Sequence, residues 1–202
     1  VEDEDSLTER FDRKQEAGVI DIAVIRTPRI SNFTDFNPFE SIPGVSLRYV
    51  KHPRDLHSTD MIILPGTKNT MGDLIWMRES GMEAAVLKEA SRGKLIFGVC
   101  GGYQMLGETL SDPHGVENGG SMKGMGLLPM ETVFAEKKTR TRVQGYFGQL
   151  SGVFAPLSGA EIEGYEIHMG ESILKENAGT ATKITDSVSG KKKEEGAFAG
   201  NV

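Results

Sequence analysis

The sequence predicts an α/β protein with a mainly parallel sheet flanked by helices and a C-terminal antiparallel extension. Three observations predict it. Residues 19–25, 45–50, 61–64 and 94–99 are short, apolar-rich runs of the kind that form strands buried on both faces. Between the third and fourth runs, apolar residues recur at helical spacing, the alternation expected of parallel strands joined by crossover helices. Beyond about residue 125 the texture changes to alternating runs separated by Gly-rich turns.

Taken in chain order, residues 1–17 carry Glu2, Asp3, Glu4, Asp5, Glu9 and Glu16 among few apolar residues, a linker composition. The folded domain is expected over 18–202. The first strand, 19–25, is nearly continuously β-branched, and the third, 61–64, is closed by Pro65 and Gly66. Met71, Leu74 and Ile75 predict a short helix over 69–79, and Met82, Ala85, Val86 and Ala90 a second over 82–92. The strand at 94–99 runs without a linker into Cys100 and a Gly-led segment, 101–110, that can start a helix. Residues 130–135, 142–150 and 163–168 read as shorter strands. The tail from Ala178 is polar, and Lys191, Lys192 and Lys193 beside Glu194 and Glu195 read as a solvated loop.

Composition excludes several classes. A chain of 202 residues with 38% hydrophobic side chains can bury one substantial core. Its formal charge of -6, with basic residues scattered, disfavours nucleic acid as a partner. The single cysteine, Cys100, excludes an internal disulfide and suits a reducing cytoplasm. The charged N-terminus is neither signal peptide nor anchor, and no stretch reaches the ~20 apolar residues that span a bilayer. A membrane partner is not expected, and neither is a metal site.

The sharpest local signal is Phe97-Gly98-Val99-Cys100-Gly101-Gly102, a strand that stops at a cysteine among small residues and turns into a helix. This is the layout of a nucleophile elbow, where strained backbone at the nucleophile needs steric room from glycines two before and two after it. A thiol at a helix N-terminus is also biased toward thiolate. Two other readings stay open: a small buried hydrophobe at a strand end, or a Gly-rich turn for phosphate. The turn Leu64-Pro65-Gly66-Thr67-Lys68-Asn69 follows another strand and so falls on the same carboxyl edge of the sheet, where ligands gather. Backbone N–H groups of Gly66 or Thr67, with Gly101, are candidates to hold the oxyanion of a thiolate attacking an amide; an ordinary strand-to-helix turn is the alternative. Of the four histidines, His52 and His57 flank a Pro-containing segment and His114 sits in a turn, whereas His168 ends a strand in Gly164-Tyr165-Glu166-Ile167-His168-Met169-Gly170, from which it can reach a cleft or simply pack.

Four strings in order, RISNFTDFNP at 29–38, LPGTKNT at 64–70, FGVCGGYQMLG at 97–107 and GYEIHMG at 164–170, resemble the cobyric acid synthase family over residues 19–170. The resemblance implies a class I glutamine amidotransferase domain on a flavodoxin-like core. Cys100 would attack glutamine, form a glutamyl thioester and release ammonia. Gln104 and His168 join Gly66, Thr67 and Gly101 as glutamine-site or support residues, with His168 as a catalytic group the lesser reading. In the family the ammonia amidates adenosylcobyrinic acid a,c-diamide, a corrinoid acceptor, after ATP- and Mg-dependent activation in an N-terminal synthetase domain. The chain has no phosphate loop of the form G-x-x-x-x-G-K-[ST], so ATP is expected only in that other domain, with no cofactor in this one. The paired histidine of the family lies in a segment of the type GTYLHG, expected beyond Val202, so a domain truncated at its C-terminus and weak or inactive as an isolated fragment is the expectation. The residue after GYEIHMG, often Arg in the family, is Glu171 here. Neither Glu166 nor Glu171 is nominated as an orienting carboxylate. Competing readings are a relative with another acceptor, cobyrinate a,c-diamide synthase or a peptidoglycan amidotransferase, and a non-catalytic docking domain of the same fold.

Overall fold

A computed structural model describes residues 18–202 apart from Asn177 and the side chain of Lys137. The linker expected at 1–17 lies outside the described residues. Those described divide into two compact units, one of 18–69 and 73–103, the other of 70–72 and 104–202.

The first unit is built on four parallel strands in the order β2-β1-β3-β4: β1 (Ile20–Ile25), β2 (Val45–Val50), β3 (Met61–Leu64) and β4 (Leu95–Gly98). Ala23, Val24 and Ile25 of the central strand are fully buried, as a β-branched run covered on both faces should be. Ile22, Val24, Leu47 and Ile63 pack with Phe36, which precedes the short helix α1 (Asn37–Glu40). The β3-to-β4 crossover consists of α2 (Thr70–Glu79) and α3 (Met82–Ser91), whose Leu74, Met77, Met82 and Val86 have no exposed surface. At the amino edge of this sheet Asp21 binds Arg48 Nη2 at 2.6 Å and Ser46 Oγ at 3.0 Å. Burial pushes the Asp21 carboxyl up, but the guanidinium and these hydroxyls outweigh it and hold it below its ordinary value. The carboxyl edge is left to the loops that follow β1, β3 and β4.

The second unit is a mixed six-stranded sheet in the order β10-β9-β7-β5-β6, with β8 also paired to β7. Its strands are β5 (Thr109–Asp112), β6 (Gly120–Lys123), β7 (Met130–Phe147), β8 (Glu161–Leu174), β9 (Gly179–Asp186) and β10 (Lys192–Phe198). All pairings are antiparallel except β5 with β7. The antiparallel extension is thus present and longer than the sequence pattern implies.

The segment led by Gly101 does start a helix, α4 (Gly101–Met105), and the chain then turns at Gly107, where a Cβ would meet the Met130 carbonyl oxygen at 2.8 Å and after which Glu108 N–H donates to that same carbonyl. Two local expectations are corrected. The polar stretch 136–141 does not break the strand: Arg140 and Thr141 continue β7 opposite Ile167 and Glu166. The lysine run is no solvated loop, since Lys192 and Lys193 open β10 and pair with Thr185 and Ile184. A polar strand exposed on one face alternates too weakly to read as one, so its pairing partner decides its conformation.

Candidate active site

β4 ends at Gly98, and two residues later Cys100 takes φ 51°, in the left-handed region, before α4 opens at Gly101. A non-glycine residue there stores strain of about 1–2 kcal/mol, which persists because the surroundings fix it. Two backbone bonds do so: Val99 N–H donates to Leu64 O at 3.0 Å and Gly102 N–H to Val99 O at 2.9 Å. Gly102 is obligatory on separate grounds, because a Cβ there would stand 2.0 Å from the Leu64 oxygen and 2.7 Å from that of Pro65. The start of the helix is pressed against the end of β3, and Cys100 is left exposed.

The loop after β3 lies beside it. A Cβ built on Gly66 would come 3.7 Å from Cys100 Cβ. The loop is held from the β1 side by Ser31 N–H to Gly66 O at 2.8 Å and Lys68 N–H to Arg29 O at 3.0 Å, with Ile30 bridging Thr67. Buried Asp73 completes the clamp, accepting Thr67 Oγ1 at 2.6 Å and both the N–H and the guanidinium of Arg29 at 3.2 Å. The Thr67 hydroxyl is therefore part of the loop's own structure, and only its backbone is available as an oxyanion donor. The first unit brings together Cys100, Gly66, Thr67 and Gly101, the residues singled out from the two glycine-rich turns.

Gln104 and His168 belong to the second unit. Gln104 is 5% exposed; its Oε1 accepts Thr70 Oγ1 at 3.3 Å and its Nε2 donates to Met169 O at 3.0 Å. His168 is half-buried in β8, with Nδ1 2.9 Å from Gly170 O and Nε2 2.7 Å from Glu166 Oε1. Both ring nitrogens thus lie within hydrogen-bond distance of protein oxygens, which hold the ring in place. Glu166 also receives Lys193 Nζ at 2.5 Å. Burial pushes the Glu166 carboxyl up; the hydrogen bonds from Lys193 and His168 outweigh it and leave the carboxyl below its ordinary value. The Glu166 carboxylate thus bridges His168 and Lys193. Glu171 is exposed and stands opposite Val133.

Sequence reasoning also missed Glu117. Asp112 accepts the N–H groups of Val116, Glu117 and Gly119, each at 2.8 Å. Burial would raise the Asp112 carboxyl, yet these amides hold it below its ordinary value. The loop so fixed aims Glu117 at the first turn of α2, where it accepts Thr70 N–H at 2.9 Å and Met71 N–H at 2.8 Å. The only sequence signal is the turn Asp112-Pro113-His114-Gly115, which marks a loop without showing what it caps.

An exposed cysteine in left-handed backbone at the carboxyl edge of a parallel sheet, with a glycine loop beside it, is the arrangement of class I glutamine amidotransferases. The fold is similar to that of PurLQS from Thermotoga maritima, with a TM-score of 0.57 and 21% identity over 85% of this chain and 77% of that one. A glutamine amidotransferase from Thermotoga maritima gives a TM-score of 0.55 at 12% identity over 93% of this chain and 74% of that one. The chain belongs to the CobB/CobQ-like glutamine amidotransferase domain family, which matches residues 21–202. It is 54% identical over its full length to a cobyric acid synthase of Ruminiclostridium cellulolyticum and 59% identical over 85% of its length to one of Lachnoclostridium phytofermentans. It spans 40% and 33% of the lengths of those two relatives. Among the described residues no helix is long and apolar enough to cross a membrane.

Proposed function

We propose that the chain hydrolyses glutamine to supply ammonia for amidation of a corrinoid, as the glutamine-handling part of a cobyric acid synthase. The observation that carries the glutaminase reading is the exposed Cys100 at φ 51° with Gly66 beside it. The Cys100 thiolate attacks the carboxamide carbon of glutamine, and the carbonyl electron pair moves onto oxygen. Backbone N–H groups of Gly66 or Thr67 and Gly101 stabilise that oxyanion. Collapse with protonation of nitrogen expels ammonia and leaves a glutamyl thioester, and water then releases glutamate and restores the thiol. Gln104 and His168 are proposed as support residues, as the family resemblance implies.

The corrinoid part of the proposal draws on the 54% and 59% identity to cobyric acid synthases. Because the chain spans well under half of those relatives, ATP and Mg²⁺ are assigned to an N-terminal synthetase domain of the same polypeptide, with adenosylcobyrinic acid a,c-diamide as acceptor. We further propose that the protein works in the cytoplasm, with neither nucleic acid nor membrane as partner.

The test is to treat the full-length protein with 6-diazo-5-oxo-norleucine and map the adduct by mass spectrometry. A glutaminase carries it on Cys100 and Cys100→Ser carries none; an unmodified Cys100 in a wild type that releases no glutamate overturns the reading. Amidation of adenosylcobyrinic acid a,c-diamide, set against cobyrinate, then decides the acceptor.

A further inference from the structure

Ser31 lies just beyond β1, in the segment that clamps the loop after β3. Its N–H donates to Gly66 O at 2.8 Å, and Ile30 next to it bridges Thr67. The side chain is half-buried, and among the described residues its hydroxyl makes no hydrogen bond. A Cβ on Gly66 would meet Ser31 Oγ at 3.2 Å on one side and Cys100 Cβ at 3.7 Å on the other. The small space left by having glycine at 66 is therefore bordered both by this hydroxyl and by the nucleophile's own side chain. The segment is well held: Asp73 grips Arg29, and Tyr49 Oη donates to Phe33 O at 2.9 Å. A half-buried hydroxyl on a well-held segment, without a protein partner among the described residues and bordering the same small space as the nucleophile's side chain, is available to donate to a group that binds beside Cys100.

We infer that Ser31 contacts the substrate in the Cys100 site, its Oγ–H donating to the oxygen of the glutamine carboxamide as that oxygen becomes the oxyanion of the tetrahedral adduct. The inference rests on the glutaminase reading and adds a side-chain donor to the backbone groups of Gly66, Thr67 and Gly101. A donor that acts as charge develops lowers the barrier more than it tightens ground-state binding.

The experiment is steady-state glutamine hydrolysis by the full-length protein carrying Ser31→Ala or Ser31→Thr. Ser31→Ala is expected to lower kcat and kcat/KM together by roughly 10- to 100-fold with KM within about threefold, and Ser31→Thr, which keeps the hydroxyl, to recover most of the loss. Methyl methanethiosulfonate, a thiol reagent with no carboxamide, should modify Cys100 at the wild-type rate in both variants, as followed by mass spectrometry. Wild-type kcat/KM in Ser31→Ala overturns the Ser31 role and leaves Cys100 untouched. Lost reactivity of Cys100 toward that reagent also overturns it, because the effect would then lie in the nucleophile. A wild type that releases no glutamate sinks the glutaminase reading first and this one with it. Should Ser31→Ala not fold, Ser31→Gly is judged by the same criteria.

Discussion

Glu117 caps Thr70 across 47 positions of sequence, accepting its amide hydrogen at 2.9 Å, while the Thr70 hydroxyl donates to Gln104. A carboxylate over the first turn satisfies amides that the helix itself cannot, and it opposes the helix dipole favourably. Glu117→Ala should therefore lower stability by about 1–2 kcal/mol. Thermal unfolding should show a fall of roughly 2–4 °C per kcal/mol, and an unchanged midpoint would contradict the cap. Asp112→Asn should act in the same direction, since the loop that presents Glu117 hangs on that carboxylate.

Cys100 trades stability for position. Replacing it with glycine, which adopts positive φ without penalty, should raise stability by about 1 kcal/mol while abolishing glutamate release. A Cys100→Gly protein no more stable than Cys100→Ala would show that the backbone there is not under strain.

Gly102→Ala should be far more damaging than its size suggests. Its Cβ would fall 2.0 Å from the Leu64 oxygen, a backbone atom that cannot swing aside, so β3 and α4 must part. The expected loss is on the order of 3 kcal/mol or more, read as failure to accumulate folded protein. Gly93→Ala, where a Cβ meets nothing within 4 Å, serves as a comparison in which only the positive φ is strained.

The Glu166 carboxyl, facing His168 and Lys193, predicts a particular pH profile. Its folded value lies below the ordinary 4.5, so the stability it contributes is fully present above 4.5 and is lost as pH falls through the depressed value. For Lys193, burial pushes the ammonium down, but its bond to Glu166 and the charges of Glu195 and Glu166 hold it above the ordinary 10.5. Its contribution is therefore present below 10.5 and is lost as pH rises through the elevated value. Glu166→Gln should cost about 2 kcal/mol at neutral pH and flatten the acid limb of a midpoint-against-pH curve; an unaltered acid limb would refute the assignment.

Thr27 predicts a gain. It is 4% exposed, and its hydroxyl has no partner among the described residues. Thr27→Val keeps the shape and removes the unsatisfied group, so a rise of about 1 kcal/mol is expected by denaturant unfolding.

What was legible in the sequence follows from the range of each interaction. β3 coincides with its apolar run, MIIL, because a strand buried on both faces is written as a continuous hydrophobic stretch, and β2 was legible from its apolar residues although Ser46 and Arg48 interrupt them. Cys100 and Gly66 were legible because a tight turn leaves glycines in the sequence. Glu117 and Ser31 were not, because the groups they face, Thr70 for the one and Gly66 for the other, lie tens of residues away in the chain. β9 and β10 were hidden for a similar reason: Lys193 and Glu195 look solvated until Ile184 and Thr182 are known to lie opposite them.

The irregularity where β7 meets β8 has a mechanical consequence. Residues 134–137 stand across from Gly170 alone, and the ladder resumes on either side in two different registers. Gly170, at φ 86° and with no room for a Cβ beside Val133, is the pivot. Next to this pivot, the Met169 carbonyl accepts from the Gln104 side chain. The bulge thus takes up the four residues 134–137 opposite a single glycine without ending either strand.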